Sequence, residues 1–188
     1  KPNIAVLHTG GTIASKVDYK TGGVVASFSD TDLISMFPEL KEMANVSTQL
    51  VSNIMSEDVR FSHYKKIIDG IVKSIKGKAD GIIIGHGTDT LALTAAALSF
   101  SLENLPIPVI LVGSQRSTDR GSTDAAVNLI CAAEFITQTD FVGVALCMHE
   151  SPSDNNCLIL PATKTKKLHT SRRDAFKAVN DKAAARVN

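Results

Sequence analysis

Short apolar runs alternate along this chain with stretches in which apolar residues recur at three- and four-residue spacing. Two of the runs, residues 4–7 and 82–84, lack period-2 alternation, which is typical of strands covered on both faces of a parallel sheet. The spaced stretches predict amphipathic helices. The predicted strands span residues 4–7, 46–54, 82–84, 109–112, 141–148 and 158–160, and the predicted helices span 32–37, 63–76, 91–102 and 124–136, with a weaker helix starting at 174.

Strands that alternate with helices predict βαβ units with right-handed crossovers. The predicted fold class is therefore α/β, a three-layer, doubly wound, mainly parallel sheet. In such sheets ligands bind outside the carboxyl ends of the strands. A polar loop that begins where a predicted strand stops is thus a candidate site.

Composition fits a globular domain with a substantial core, because 44% of the 188 residues are hydrophobic. Twenty basic side chains against 19 acidic ones leave a formal net charge of +1, which gives no general attraction to nucleic acid or membranes. Residues 164–173 are locally basic, a pattern that is most often a solvated face. No apolar run approaches the roughly 18 residues of a membrane span and no leader pattern opens the chain, so we expect a cytoplasmic protein.

The three cysteines, Cys131, Cys147 and Cys157, form no CxxC pair. An odd number without metal-ligand spacing predicts neither a disulfide framework nor a zinc site. Cys131 lies in an apolar helical stretch, which predicts a place in the core.

Two polar loops follow predicted strands directly: residues 8–14 read His-Thr-Gly-Gly-Thr-Ile-Ala, and residues 85–90 read Gly-His-Gly-Thr-Asp-Thr. Their glycines allow a tight turn and a close approach to a ligand. Neither loop carries a phosphate-binding GxGxxG or GxxxxGK[ST] pattern. The loops place Thr12, Thr88 and Asp89 where ligands bind in this fold class.

A threonine hydroxyl is a weak nucleophile that needs a base or a cationic neighbour. A Thr–Asp pair with a lysine supplies one, since a buried lysine can take the proton while the carboxylate orients it. Thr12 and Thr88 could flank a substrate carbonyl, with backbone N–H groups of the glycine loops holding the oxyanion. A structural interpretation stays open, because Thr12 fits a helix N-cap and Thr88–Asp89 fits a cap for the helix at residue 91.

Other polar positions also have two interpretations. His86 and His149 end strands and are candidate metal ligands, although a hydrogen-bonded histidine is commoner. The Ser114-Gln115-Arg116 segment fits either a carboxylate site or a closed turn. The glycine-containing stretch 17–29 is either a mobile lid or a surface hairpin.

The motif Thr-Gly-Gly-Thr-Ile-Ala after the first strand, followed later by His-Gly-Thr-Asp-Thr, resembles the L-asparaginase/glutaminase family. Residues 113–116 and 124–128 resemble the third loop and the following helix of that family. The resemblance covers nearly the whole chain and implies an asparaginase-like N-terminal catalytic domain over 1–180. Residues 181–188 are then a tail that begins a linker to a second, smaller C-terminal domain outside the chain, and the uncapped ends also predict a fragment of a longer protein.

The resemblance implies hydrolysis of an amide through an acyl-enzyme, with release of ammonia. Thr12 matches the nucleophile, and Thr88, Asp89 and Lys164 match its activating relay. Tyr19, in the stretch that resembles a lid, is implied as a partner of Thr12. No metal ligand is implied, and the substrate-binding residues implied are Gly11, Ser56, Glu57, Gly87 and Ser114, with Ser56 and Glu57 at the substrate's α-carboxylate and α-amino groups.

Within the family, the chain most resembles the D subunits of archaeal-type glutamyl-tRNA(Gln) amidotransferases, above all in Lys-Leu-His-Thr-Ser-Arg-Arg-Asp-Ala-Phe at 167–176. That resemblance implies no cofactor in this chain, a homodimer, and an E subunit that uses ATP and Mg²⁺ with the released ammonia to convert Glu-tRNA(Gln) to Gln-tRNA(Gln). The D subunits' small N-terminal barrel lies outside this sequence, and Leu-Pro-Ala-Thr at 160–163 replaces a basic, glycine-containing stretch.

Three alternatives remain at this stage. They are a free-standing cytoplasmic L-asparaginase, a non-catalytic binding module on the same fold, and a metal hydrolase that uses His86 and His149. Glutamine and asparagine both remain candidate substrates, because one methylene in a small pocket discriminates by only about 1–3 kcal/mol.

Overall fold

The computed structural model describes residues 1–18, 20–21, 24–26 and 35–188. Within these residues, the centre of the fold is a seven-stranded sheet. From one edge to the other they are β11 (Ala185–Val187), β8 (Cys157–Pro161), β7 (Gly143–His149), β6 (Pro108–Val112), β5 (Gly81–Gly85), β1 (Asn3–Gly10) and β4 (Asn45–Ile54).

The described elements also include two short antiparallel strand pairs and four α-helices. The pairs are β2 (Ser15–Val17) with β3 (Val24–Ala26), and β9 (Thr165–Lys167) with β10 (Phe176–Ala178). The helices are α1 (Glu39–Met43), α2 (Phe61–Lys76), α3 (Leu91–Ser101) and α4 (Ala125–Gln138).

The strand order places a change of winding direction beside β1. Strands β4, β1, β5, β6 and β7 are parallel, and β8 joins β7 in antiparallel register. The chain runs from β1 outward to β4, returns past β1 to β5, and continues to β6 and β7. The carboxyl ends of β1 and β5 therefore form the topological switch point, where doubly wound sheets bind ligands.

Burial on both faces of the sheet explains why the inner strands β1, β5 and β6 are nearly continuous apolar runs. Ile4 and Val6 of β1 point into the core layer under α1 and α4, whereas Ala5 and Leu7 point into the opposite layer under α2 and α3. All four side chains are buried. The predicted three-layer, mainly parallel α/β fold is confirmed.

The sequence patterns located most elements within a few residues, but one expected helix is replaced by a strand. The helix expected from residue 174 is instead β10, because residues 176–178 pair with β9 and the fully buried Phe176 enters the core. The expected helix over 32–37 begins outside the described residues, and α1 was not predicted.

Residues 181–188, expected to be a tail, contain β11. This strand pairs with β8 in antiparallel register, from Ala185 opposite Ile159 to Val187 opposite Cys157. Ala185 and Val187 pack against the core, while Arg186 Nε donates to the Glu150 carboxylate at 2.7 Å. The segment covers the edge of β8, so the sheet does not stop at the expected boundary of 180.

The helices of the described segments are all too short or too polar to cross a lipid bilayer.

Candidate active site

Three loops meet at the switch point, and their backbones touch. Gly11 has φ 75° and ψ −175°, a conformation essentially restricted to glycine. A Cβ on Gly11 would lie 2.3 Å from the Gly87 Cα, and a Cβ on Gly87 would lie 2.6 Å from the Ser56 Cβ. Because no side chain separates them, the loops after β1, β5 and β4 form one surface.

Thr12 is the first residue of a 3-10 turn over Thr12–Ala14 and is partly exposed. Gly11 occupies the cap position of this turn, so Thr12 does not have the N-cap role that sequence left open. Two hydrogen bonds hold the turn in place. The Thr118 hydroxyl donates to the Ile13 carbonyl at 2.7 Å, and the Ser15 hydroxyl donates to the Gly11 carbonyl. The fixed turn places Thr12 directly after Gly11, in the loop that touches Gly87.

Thr88 and Asp89 share a lysine. Lys167 Nζ donates to Thr88 Oγ1 and to Asp89 Oδ1, both at 2.8 Å. The Lys167 side chain is 13% exposed, whereas that of Asp89 is 64% exposed. The cap position of α3 is Thr90, whose hydroxyl donates to the Ser56 carbonyl, so Thr88 and Asp89 do not have the capping role.

The predicted lysine of this relay, Lys164, lies elsewhere. Its ammonium is 3.6 Å from the Asp181 carboxylate and its side chain is 52% exposed. Lys164 precedes β9, whereas Lys167 ends that strand next to the loop after β5. The placement of Lys164 beside Thr88 and Asp89 is therefore wrong, and Lys167 takes that position.

Lys167 carried a signal that sequence reasoning passed over. It opens the segment 167–176, which was the strongest basis of the subgroup resemblance. Its assignment also needed the β9–β10 pairing, in which Lys167 lies opposite Phe176. The sequence pattern predicted a helix there and so gave no register for the lysine.

The segment 114–116 forms a closed turn. The fully buried Ser114 donates from its hydroxyl to the Arg116 carbonyl at 2.8 Å. The backbone N–H groups of Gln115 and Arg116 donate to the buried carboxylate of Asp124. The Ser114 hydroxyl is thus engaged within the turn, and the side chain of this turn that hydrogen-bonds to Thr88 is Gln115, with 3.0 Å between Thr88 Oγ1 and Gln115 Oε1.

Ser56 and Glu57 lie in a short 3-10 turn that follows β4. Ser56 is buried, and its hydroxyl accepts the Asp89 backbone N–H at 3.2 Å. Glu57 is exposed beside it. The structure therefore joins Ser56 to the Thr88–Asp89 loop, while Tyr19 lies outside the described residues.

Some backbone donors of the glycine loops are already engaged. The Gly11 N–H donates to the Ile54 carbonyl at 3.0 Å, and the Asp89 N–H is held by Ser56. An oxyanion site in these loops would therefore draw its donors from other positions.

The two strand-end histidines have protein partners on both ring nitrogens. His86 Nδ1 is 2.8 Å from the Gly87 carbonyl and Nε2 is 2.9 Å from the Thr94 hydroxyl. Burial lowers the pKa of His86 to about 4. His149 Nδ1 is 2.7 Å from Asn128 Oδ1, and its Nε2 is 3.0 Å from Asp154 Oδ1. These contacts favour the hydrogen-bonded interpretation over metal ligation.

The ion pair of Asp89 and Lys167 opens onto a shallow cavity of about 250 Å³. Leu168, His169 and Thr170 line its other side. The cavity can admit a small molecule next to a carboxylate and an ammonium.

The fold and this cluster define a class: doubly wound α/β proteins that hold a threonine–lysine–carboxylate group at the topological switch point. A family model described as "Asparaginase, N-terminal" matches residues 3–188. The chain belongs to this asparaginase family.

Two curated relatives show which members of the family this chain is similar to. The chain is 50% identical over 186 residues to a protein of Thermococcus kodakarensis that is named as the D subunit of glutamyl-tRNA(Gln) amidotransferase, and the alignment covers 99% of this chain and 42% of the relative. A protein of the same name from Methanosarcina barkeri is 48% identical over 181 residues, covering 96% of this chain and 42% of the relative. The chain thus spans about two fifths of the length of these relatives.

Solved structures agree with the fold. The thermostable L-asparaginase from Thermococcus kodakarensis aligns with a TM-score of 0.83 and 31% identity, covering 99% of this chain and 54% of that one. The probable cytoplasmic L-asparaginase from Campylobacter jejuni aligns with a TM-score of 0.78 and 30% identity, covering 95% and 52%. The resemblance inferred from the two loop motifs is confirmed.

Proposed function

We propose that this chain is the catalytic part of an amidohydrolase that releases ammonia from glutamine or asparagine. The observation that carries the proposal is the contact of Lys167 with both Thr88 and Asp89 at the switch point, next to the loop of Thr12. The membership in the asparaginase family supports the same chemistry.

In the proposed mechanism, Thr12 Oγ attacks the side-chain amide carbon of the substrate. Its proton passes through the Thr88 hydroxyl to Lys167, which Asp89 orients. The tetrahedral intermediate expels the amide nitrogen, which takes up a proton and leaves as ammonia, and a Thr12 ester remains. Water then attacks the ester carbon, returns a proton to Thr12 and releases the free acid.

Substrate binding is assigned to the surface around this relay. Glu57 and Asp89 are exposed carboxylates that suit an α-amino group. Ser56 supports Asp89 through the backbone, and the bare Gly11 and Gly87 leave room for a ligand. Tyr19 remains a proposed partner of Thr12, and Ser114, with its hydroxyl turned to Arg116, would act through its backbone.

The direct test is ammonia release from glutamine and asparagine by the intact protein. We expect Thr12→Ala to abolish turnover, because no other group would replace the attacking oxygen, and Thr12→Ser to retain a measurable part of it. Thr163→Ala, at an exposed threonine outside the site, serves as the control. Full turnover by Thr12→Ala would refute the assignment of the nucleophile.

We further propose that the ammonia serves a tRNA-dependent amidotransferase. The relatives that are 50% and 48% identical carry the name of its D subunit. In this assembly an E subunit would bind ATP and Mg²⁺ and convert Glu-tRNA(Gln) to Gln-tRNA(Gln), with a homodimer of the D subunit in the cytoplasm. Ammonia release should then increase on addition of the E subunit and glutamyl-tRNA.

A free-standing L-asparaginase is the second candidate, favoured by the TM-score of 0.83 to an L-asparaginase. The same assay separates the two. Asparagine turnover that is indifferent to the partner and to tRNA would support the free-standing enzyme.

A further inference from the structure

Gln115 links Thr88 to the segment that follows Lys167. Its Oε1 lies 3.0 Å from Thr88 Oγ1, and its Nε2 donates to the Arg172 carbonyl at 2.9 Å. The mechanism proposed above assigns no role to this glutamine. It is nevertheless a second direct side-chain neighbour of Thr88, besides Lys167.

These contacts fix the position of the Thr88 proton. A backbone carbonyl only accepts hydrogen bonds, so the amide nitrogen of Gln115 must face Arg172 and its oxygen must face Thr88. That oxygen also only accepts, so the Thr88 hydroxyl donates its proton to Gln115. The oxygen of Thr88 is then left to accept an N–H of Lys167.

The backbone of Gln115 is held firmly enough to impose this arrangement. Its N–H and that of Arg116 both donate to the carboxylate of the fully buried Asp124, at 2.8–3.0 Å. Gly113 brings the turn close to Thr88, since a Cβ at Gly113 would lie 2.8 Å from Thr88 Cγ2. A positioned glutamine on a fixed turn can thus orient a neighbouring hydroxyl.

We propose that Gln115 is a positioning residue that holds the Thr88 proton away from Lys167 in the resting site. The inference rests on the proposed amidohydrolase function, in which Thr88 must exchange this proton with Lys167. Arg172 sets the amide orientation, so the segment after Lys167 is coupled to the hydroxyl through Gln115.

The test is the kinetics of the intact protein with Gln115→Met, which keeps the length of the side chain and removes both hydrogen bonds. We expect kcat for ammonia release to rise about three- to tenfold, the effect of one neutral hydrogen bond, because Thr88 must break its bond to Gln115 before its proton can reach Lys167, while KM stays within about twofold. Gln138→Met, at a glutamine outside the site, should leave both constants unchanged.

Gln115→Glu adds a second measurement, the pH dependence of activity, which would not change if the role of Gln115 were merely structural. The carboxylate still accepts the Thr88 proton, and its negative charge stabilises the nearby Lys167 ammonium. Because the relay needs a neutral lysine to take up the proton, the pH at which activity rises should move upward. Gln115→Met adds no charge and should not raise this pH.

A second measurement does not depend on activity. Hydrogen exchange of residues 168–175 in the intact protein should be faster in Gln115→Met than in Gln138→Met, because the tie to the Arg172 carbonyl is lost. A kcat that is unchanged or lower, or unchanged exchange in this segment, would overturn the proposal. If the wild-type protein releases no ammonia, the proposed function fails, and the exchange result alone decides whether Gln115 ties Arg172 to the site.

Discussion

At the scale of single residues, the site depends on which lysine stands beside Thr88. Lys167 touches Thr88 and Asp89, whereas Lys164 pairs with Asp181 on the surface. Three residues of sequence therefore separate a lysine in the relay from one in a solvated ion pair. Exposed pairs of the second kind stabilise proteins by only about 0–1 kcal/mol.

We expect Lys167→Met to lower kcat for ammonia release by about 10²- to 10⁴-fold, the usual loss when a general acid–base group is removed. Lys164→Met is the matched control and should stay within about twofold of the wild type, since only a surface ion pair is lost. Steady-state assays of the intact protein measure both. Equal losses in the two variants would contradict the assignment of Lys167.

The sequence located Thr88, Asp89 and Thr12 correctly at strand ends because strand ends are visible as the limits of apolar runs. It misplaced the lysine, because a side chain from β9 reaches the site only through the pairing with β10. That pairing joins residues 165–167 to 176–178, where the local pattern suggested a helix. Gln115 was also hidden, since nothing in Ser-Gln-Arg indicates which of the three side chains points at Thr88.

At the scale of elements, the site depends on how closely the loops after β1 and β5 approach. Gly11 and Gly87 meet backbone to backbone, with no space for a side chain between them. The two loops therefore behave as one unit, and a change in either displaces the other.

We expect Gly11→Ala to destabilise the protein by more than about 1–3 kcal/mol, the usual strain of a non-glycine residue in this backbone conformation, because the clash with Gly87 adds to it. Gly121→Ala is the control, since a Cβ there meets nothing within 4 Å. Urea denaturation of both variants measures the difference. A Gly11→Ala protein as stable as Gly121→Ala would show that the loops are not in contact.

At the scale of the whole molecule, the buried histidine next to the site makes stability depend on pH. Burial lowers the pKa of His86 to about 4, whereas the unfolded chain has the ordinary value of 6.5. Between these values the unfolded chain binds a proton that the native state does not, so the free energy of unfolding falls as the pH falls from 6.5 towards 4. The loss reaches about 3 kcal/mol near pH 4.

We expect His86→Asn to remove this part of the pH dependence, because asparagine can still donate to the Gly87 carbonyl but does not titrate. His169→Asn, at an exposed histidine, should leave the dependence as in the wild type. Urea denaturation at pH 7 and pH 4.5 measures each difference. A wild-type slope in His86→Asn would assign the acid sensitivity to other groups.

The overall architecture was predictable because two-faced burial marks the inner parallel strands as continuous apolar runs, whereas the edge strand β4 is half polar and only partly buried. The last strand, β11, was not predictable from the sequence. It has only three residues, 185–187, which lie only partly in the core, so its pairing with β8 is decided by tertiary contacts.

The spread of the site along the sequence has a consequence for how the protein is made. Its groups are spread from Gly11 to Arg172, so the contacts of the relay are non-local. A nascent chain leaving the ribosome can pair β1, β4 and β5 long before residue 167 has been translated. Such an intermediate would have the two glycine loops in place but no lysine beside them. The relay therefore forms only when residues 165–178 have folded onto a sheet that is already in place.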